Sequence, residues 1–166
     1  MPNITLNTRN GTSDMRKETI TSAQNPKIKM LLALQEKSKT RRKEGLFVVE
    51  GRRELEHCIN AGFRARTLFV CPEIISPEDW EYIYEKTCSP AGCEQSVVEV
   101  PAVLYDKIAY RGGTEGVIAE IEYIERNLAS LKMKENPLVV VLESVEKPGN
   151  LGAVLRSADA SGADAV

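Results

Sequence analysis

The chain has 166 residues, 42% of them hydrophobic, which is enough for one core with a short additional segment. No stretch approaches the roughly 18 apolar residues of a membrane span, and no signal-peptide apolar region is visible. The net charge is −2, but residues 1–66 hold 14 Lys and Arg against 7 Asp and Glu, whereas the other 100 residues hold 8 against 17. This asymmetry predicts a positive face for phosphates, or simply solvated helix surfaces.

The N-terminal part is predicted to be a tail followed by one helix. Residues 1–20 are polar, rich in Asn and Thr and without sustained periodicity, which predicts a flexible tail. Apolar residues at helical spacing over 25–36 follow a start signal at Ser22 or Asn25. The helix is predicted to end in a basic loop that begins at Lys37.

Strand and helix patterns then alternate up to residue 122. The predicted strands are Leu46–Val49, Ala65–Cys71, Ser96–Val100 and Gly116–Glu122, and the predicted helices are Arg52–Ala61, one that opens at Ser76 and Pro77, and Ala102–Ala109. Repeated units of these lengths imply an α/β fold, an α/β/α sandwich over 21–124. The charged stretch from Glu125 to Glu135 predicts a linking helix within a linker over 125–136.

A second unit is predicted over 137–166. The β-branched run Leu138–Leu142 predicts a buried strand, after which Pro148 and Gly149 turn the chain and Asn150 takes the N-cap position of a helix. That helix is predicted to carry one apolar stripe, formed by Leu151, Val154, Leu155 and Ala158. Arg156 lies on the other side among small residues, where it could clamp a phosphate or remain a solvated surface arginine.

Cysteine and histidine usage argues against a metal site. Cys58, Cys71, Cys88 and Cys93 include no CxxC pair, and the single histidine, His57, is expected to be a surface residue. The thiols are therefore expected to be reduced, which favours a cytoplasmic protein.

The motif from Glu146 to Asp159 closely resembles the first motif of the SpoU (TrmH-type) branch of the SPOUT RNA methyltransferases. The runs Ser22–Lys27, Phe47–Gly51 and Glu115–Ala119 resemble, in order and spacing, the substrate-binding domain that precedes the catalytic domain of this family. The fold of that domain is similar to ribosomal protein L30e. The resemblance covers residues 22–166.

This resemblance implies an enzyme that transfers a methyl group from S-adenosylmethionine to a ribose 2′-hydroxyl of rRNA or tRNA. It implies an L30e-like domain joined to the first strand and helix of a trefoil-knot methyltransferase domain, and it places Asn150 and Arg156 at positions associated with catalysis. Asn150 could equally serve as an ordinary cap. The family's cofactor loops would lie beyond Val166, so no cofactor ligand is assigned in this chain, which is expected to be inactive alone. The complete enzyme is expected to be a homodimer.

The candidate RNA contacts are basic residues near the N-terminal third. They are Lys37, Lys39, Arg41, Arg42, Lys43, Arg52 and Arg53. Such residues engage backbone phosphates and contribute affinity rather than sequence choice, unless they only solubilise a loop.

The aromatic residues Trp80, Tyr82 and Tyr84 suit core packing, so no stacking platform for bases is expected. The rival hypothesis is a stand-alone RNA-binding or ribosome-associated module without enzymatic activity.

Overall fold

The structure is a computed structural model, and it describes residues 16–87, 95–110, 115–125, 129, 131–145 and 147–166. The chain divides into two compact units, and the boundary lies between Ile124 and Glu125. Within the described residues, no helix has the length and apolar character that crossing a membrane requires.

The first unit is built on a five-stranded sheet. Its strands are β1 (Arg16–Thr19), β2 (Leu46–Glu50), β3 (Ala65–Val70), β4 (Ser96–Glu99) and β5 (Val117–Glu122), in the order β1-β4-β3-β5-β2. Strands β1, β4 and β3 are parallel, whereas β5 runs antiparallel to both β3 and β2. Strand β2 is therefore an edge of the sheet, and no described strand pairs with its outer side.

Helices of the first unit lie on both faces of the sheet. They are α1 (Pro26–Glu36), α2 (Ser38–Glu44), α3 (Arg52–Asn60), α4 (Pro77–Thr87) and α5 (Ala102–Ile108). Because side chains alternate along a strand, Phe69 of β3 packs in a cluster with α1 and α5, while Leu68 packs in a second cluster with α3 and α4. The predicted α/β/α sandwich is confirmed, and burial on both faces explains the continuous apolar runs of the central strands.

Capping residues define two of the helix starts. The side chain of Asn25 accepts a hydrogen bond from the backbone N–H of Lys27 at 2.8 Å, and Pro26 opens α1. At α4, the hydroxyl of Ser76 accepts from the backbone N–H of Asp79 at 3.1 Å and donates to its carboxylate at 2.9 Å. The first bond is the usual N-cap contact, and the second holds the hydroxyl of Ser76 in place to accept it.

The predicted flexible tail over 1–20 is wrong at its C-terminal end. Residues Arg16–Thr19 form β1, which pairs in parallel with β4, and Ile20 is buried with its backbone N–H bonded to the carbonyl of Glu99 at 2.9 Å. An edge strand pairs through its backbone, so a polar segment can join a sheet without an apolar pattern. The rest of the predicted tail, residues 1–15, lies outside the described residues.

The predicted basic loop is also wrong, because residues 38–44 form the helix α2. Lys37 separates α2 from α1, and Gly45 closes α2 in the left-handed conformation with φ of 65°. No residue of α2 is buried. A short helix without a buried face has no apolar periodicity, which is the signal that identifies helices in a sequence.

The second unit contains helix α6 (Pro148–Ala160), which begins earlier than predicted. Its N-cap is Lys147 and Pro148 occupies the first turn, so the prediction of Asn150 as the N-cap is wrong and Asn150 lies within the first turn. The predicted turn at Pro148 and Gly149 is part of the helix. Proline is favourable at the first helical position because its fixed φ suits the helix and the N–H it lacks would have no helical partner there.

The segment Leu138–Leu142 forms no strand and is not buried. Val139 makes one parallel bridge with Ala165, and Val141 is 86% exposed. The predicted buried strand is wrong in this structure, because among the described residues only 164–165 pair with this segment. The predicted linking helix is wrong over residues 131–135, which lie outside any helix, whereas residues 126–128 and 130 of that prediction lie outside the described residues.

Candidate nucleic-acid interface

Arg41, one of the predicted RNA contacts, is held by the first unit itself. Its Nη1 donates to the backbone carbonyls of Leu34 at 2.8 Å and Gln35 at 3.1 Å. These carbonyls lie in the last turn of α1, where backbone acceptors have no helical partner and carry partial negative charge. Arg41 therefore joins α2 to the end of α1, a structural role that its place in a basic run does not indicate.

Arg52, another predicted contact, faces α4. Its Nε lies 3.3 Å from the carboxylate of Asp79, and its guanidinium carbon lies 5.8 Å from the ring centroid of Tyr82. The hydroxyl of Tyr82 donates to Glu56, and this hydrogen bond raises the pKa of Tyr82. These contacts occupy Arg52 in joining α3 to α4, which leaves it less available to RNA.

The other predicted cations are directed to solvent. Lys37, Lys39, Arg42 and Arg53 are exposed and have no partner among the residues the structure describes. Lys43 is 80% exposed and lies 3.4 Å from its neighbour Glu44, a surface pair of little strength. Helices α2 and α3 precede and follow β2 in the chain, and both contact this edge strand. Apart from Lys37, which precedes α2, these cations therefore lie on helices that pack beside the sheet edge.

A cavity of about 710 Å³ lies along this edge. It is lined by the end of α1, by Arg41, by Phe47–Glu50 of β2, by part of α3 and by Tyr110. Cys58 and His57 of α3 contribute to the lining, and burial raises the pKa of the Cys58 thiol.

Tyr110 is the residue of this region that sequence reasoning missed. It is 84% exposed, and its backbone N–H donates to the carboxylate of Glu50 at 2.8 Å. The only signal in the sequence is an aromatic residue placed directly before Arg-Gly-Gly.

The aromatics of α4 do pack as expected: Trp80 and Tyr82 lie against the buried cluster, and the Trp80 and Tyr84 rings are 5.8 Å apart.

The second unit carries Asn150 and Arg156 on α6. Both side chains are exposed. The guanidinium of Arg156 lies beside Gly152, where an added Cβ would sit 3.6 Å from Nη1. On the predicted apolar stripe, Leu151 is 39% and Leu155 45% exposed, whereas Ala158 is buried. The catalytic roles of Asn150 and Arg156 stay predictions.

Within the part of the chain that the structure describes, no group of His, Cys, Asp and Glu side chains is placed to hold a metal ion. The two cysteines in that part, Cys58 and Cys71, are free.

The three-layer sandwich, with exposed cations and a cavity at one sheet edge, defines an α/β domain with a partly basic sheet edge. The chain belongs to the family of the MRM3-like substrate-binding domain, whose family model matches residues 25–119.

Its similarity to known proteins points consistently to RNA methyltransferases. The chain is 43% identical over 76 residues to the 23S rRNA (guanosine-2′-O-)-methyltransferase RlmB of Haemophilus ducreyi, covering 43% of this chain and 31% of that protein. It is 28% identical over 147 residues to the 23S rRNA 2′-O-methyltransferase RlmP of Bacillus subtilis, and the match covers 89% of this chain and 52% of that protein. The crystal structure of an AdoMet-bound rRNA methyltransferase from Sinorhizobium meliloti matches with a TM-score of 0.73 and 28% identity, and the match covers 89% of this chain and 52% of that one. The chain thus spans about half the length of these relatives, or less.

Proposed function

We propose that this chain is the N-terminal, RNA-binding part of an S-adenosylmethionine-dependent enzyme that methylates a ribose 2′-hydroxyl of rRNA or tRNA. The observation that carries the proposal is the family match over 25–119, together with relatives whose names state this activity. In this proposal residues up to 124 bind RNA, 125–136 link the domains, and 137–166 begin the catalytic domain. The complete enzyme is a homodimer and acts in the cytoplasm.

The phosphate contacts are assigned to the exposed cations of α2 and of the first turn of α3. Lys39, Arg42, Lys43 and Arg53 extend into solvent, where they can approach a polyanion without breaking contacts that hold the fold. Such contacts release counterions, so they contribute a salt-dependent affinity and no sequence choice. Arg41 and Arg52 contribute less to this term, because their guanidinium groups are already engaged.

The binding experiment uses the full chain and an unstructured RNA of mixed sequence. Replacing Lys39, Arg42 and Arg53 together with Gln is expected to weaken binding and to reduce the slope of log affinity against log salt by up to about three counterion units. The matched control replaces Lys29, Arg64 and Lys107, three exposed cations outside α2 and α3, in the same way. Equal effects of the two triple variants would contradict the assigned interface, and absence of binding by the unchanged chain would contradict the function.

The described residues of the second unit do not fit a cofactor pocket by themselves. Ala158 is the only buried residue described there, whereas a pocket for a molecule of this size must enclose most of its surface. In the complete enzyme S-adenosylmethionine supplies the methyl group, and we assign no residue of this chain to it. Calorimetric titration of the 166-residue chain with S-adenosylmethionine is expected to show no measurable binding. A micromolar affinity for S-adenosylmethionine would contradict this assignment.

Asn150 and Arg156 are proposed to position the substrate from α6. A guanidinium offers five N–H donors in a planar fork and no acceptor, so Arg156 is suited to orient a phosphate and the ribose rather than to accept a proton. Asn150, in the first turn, offers an amide for the same purpose.

The test of Arg156 is single-turnover methylation by the complete protein with saturating RNA and cofactor. Arg156→Ala is expected to reduce the rate by orders of magnitude, because the reaction depends on a near-attack geometry. Arg156→Lys is expected to restore little, since a point charge does not reproduce the two-pronged guanidinium. A near-wild-type rate for Arg156→Ala would reduce this residue to a surface arginine.

A further inference from the structure

The strand β2 offers backbone polar groups to the cavity that lies along it. The backbone N–H of Tyr123 donates to the carbonyl of Gly45, and the N–H of Gly51 donates to the carbonyl of Val117. In this register the odd-numbered residues of β2 direct their backbone N–H and C=O groups toward β5. In an antiparallel ladder the intervening residues direct both backbone groups to the other side. The N–H and C=O of Val48 therefore face the open edge, where Val48 lines the cavity.

The cavity also carries a fixed cation. Arg41 lines it, and two hydrogen bonds from Nη1 to carbonyls of α1 hold the guanidinium in place. Its remaining N–H groups have no partner within the described residues. A guanidinium that is already oriented loses little freedom when it donates to a ligand.

An exposed aromatic ring completes the site at its rim. Tyr110 lines the cavity and is 84% exposed, and the carboxylate of Glu50 anchors its backbone. A planar ring and a cation that line one cavity are the combination on which unstacked bases of RNA bind, through stacking and through hydrogen bonds to their edges.

We propose that this cavity binds one unstacked nucleobase of RNA, which stacks on Tyr110 and forms hydrogen bonds with the Arg41 guanidinium and the backbone of Val48. A volume of about 710 Å³ lies in the range of small-ligand sites and accommodates a base with its ribose. The lining itself holds the carboxylates of Glu50 and Glu54 beside Arg41, so it suits a neutral base, whose amino groups can donate to an acid, rather than a phosphate. Exposed Arg42 on α2 and exposed Arg53 on α3 lie next to lining residues in the chain and can engage the flanking phosphates, which a protein strand lacks. The inference rests on the proposed RNA-binding function and adds to it a site that reads bases rather than phosphates.

The test compares two RNAs of 12 nucleotides, one of mixed sequence and one whose riboses carry no bases. The full chain is expected to bind the base-containing RNA more tightly at fixed salt, and Tyr110→Ala is expected to lower that affinity by about tenfold while leaving the affinity for the abasic RNA unchanged. Tyr110→Phe retains the ring and should retain the preference. Tyr123→Ala is the matched control, because Tyr123 is 64% exposed and does not line the cavity.

A second measurement locates the base without a variant. Cys58 lines the cavity, so the base-containing RNA is expected to slow its alkylation by iodoacetamide more than the abasic RNA does, as followed by mass spectrometry. Equal binding of the two RNAs, an unchanged preference in Tyr110→Ala, or equal protection of Cys58 would each overturn the base site while leaving RNA binding intact. Failure of the unchanged chain to bind either RNA would overturn the proposed function as well.

Discussion

The two units of the chain show the same strand-loop-helix patterning but differ in how much of it is buried. Among the hydrophobic side chains described as buried, only Ala158 belongs to the second unit. In the first unit each apolar strand meets neighbours in the sheet and helices on its faces, whereas Leu138–Leu142 meets a single bridge. An apolar run alone therefore does not determine a buried strand, because the strand and its burial both depend on partners elsewhere in the fold.

The largest effect on stability is expected from a Leu→Ala substitution, which can be made once in each unit and compared. Leu68→Ala removes a fully buried side chain of β3 and is expected to lower the free energy of unfolding by about 2–5 kcal/mol. Leu155→Ala removes a side chain that is 45% exposed on α6 and is expected to change it by less than about 0.5 kcal/mol. Urea unfolding measures both, and a loss of similar size for Leu155→Ala would show that α6 packs more tightly than its exposure indicates.

The sequence predicted the first unit well where a buried face gives a signal. The strands from Leu46 to Glu122 and the start of α4 at Ser76 follow from apolar runs and capping residues. It failed for β1 and α2, which are held by backbone pairing and by Arg41, because neither contact leaves an apolar pattern. The cavity was equally beyond prediction, since it exists because β2 is an edge strand, and strand order is a property of the whole sheet.

A smaller effect is expected at α2, which shows how the first unit holds a helix that has no buried residue. Arg41→Ala removes two hydrogen bonds to carbonyls of α1 and is expected to lower the free energy of unfolding by about 1–3 kcal/mol. Arg42→Ala, the matched control on the same helix, is expected to change it by less than about 0.5 kcal/mol. If the two variants unfold alike in urea, Arg41 does not cap α1 in solution.

A buried carboxyl in the first unit gives a pH-dependent prediction. Burial raises the pKa of Glu120 on β5 above its ordinary 4.5, and a hydrogen bond from Thr67 offsets this only in part. The folded state then binds a proton more readily than the unfolded state, so stability from this residue falls as pH rises from the ordinary pKa through the folded one. Glu120→Gln should flatten this part of the pH profile of unfolding and raise stability at neutral pH. Glu122→Gln, on the exposed end of β5, should leave the profile unchanged, and a similar response of the two variants would contradict the role of burial.

The smallest effect is expected at Asp164 in the second unit, whose pKa is shifted in the opposite direction to that of Glu120. A hydrogen bond from Lys134 at 2.8 Å, and another from the backbone N–H of Leu138 at 3.0 Å, lower the pKa of Asp164 below its ordinary 3.8. These contacts favour the ionised carboxylate, so their contribution is present above the ordinary pKa and is lost as pH falls through the folded one. Carboxyl NMR titration should show this low pKa, with a return toward 3.8 in Lys134→Met and no change in Lys132→Met. Because the Lys134 side chain is 72% exposed, water screens this pair, and the titration is a sharper readout than stability. Identical curves for the two variants would show that Lys134 does not hold Asp164 in solution.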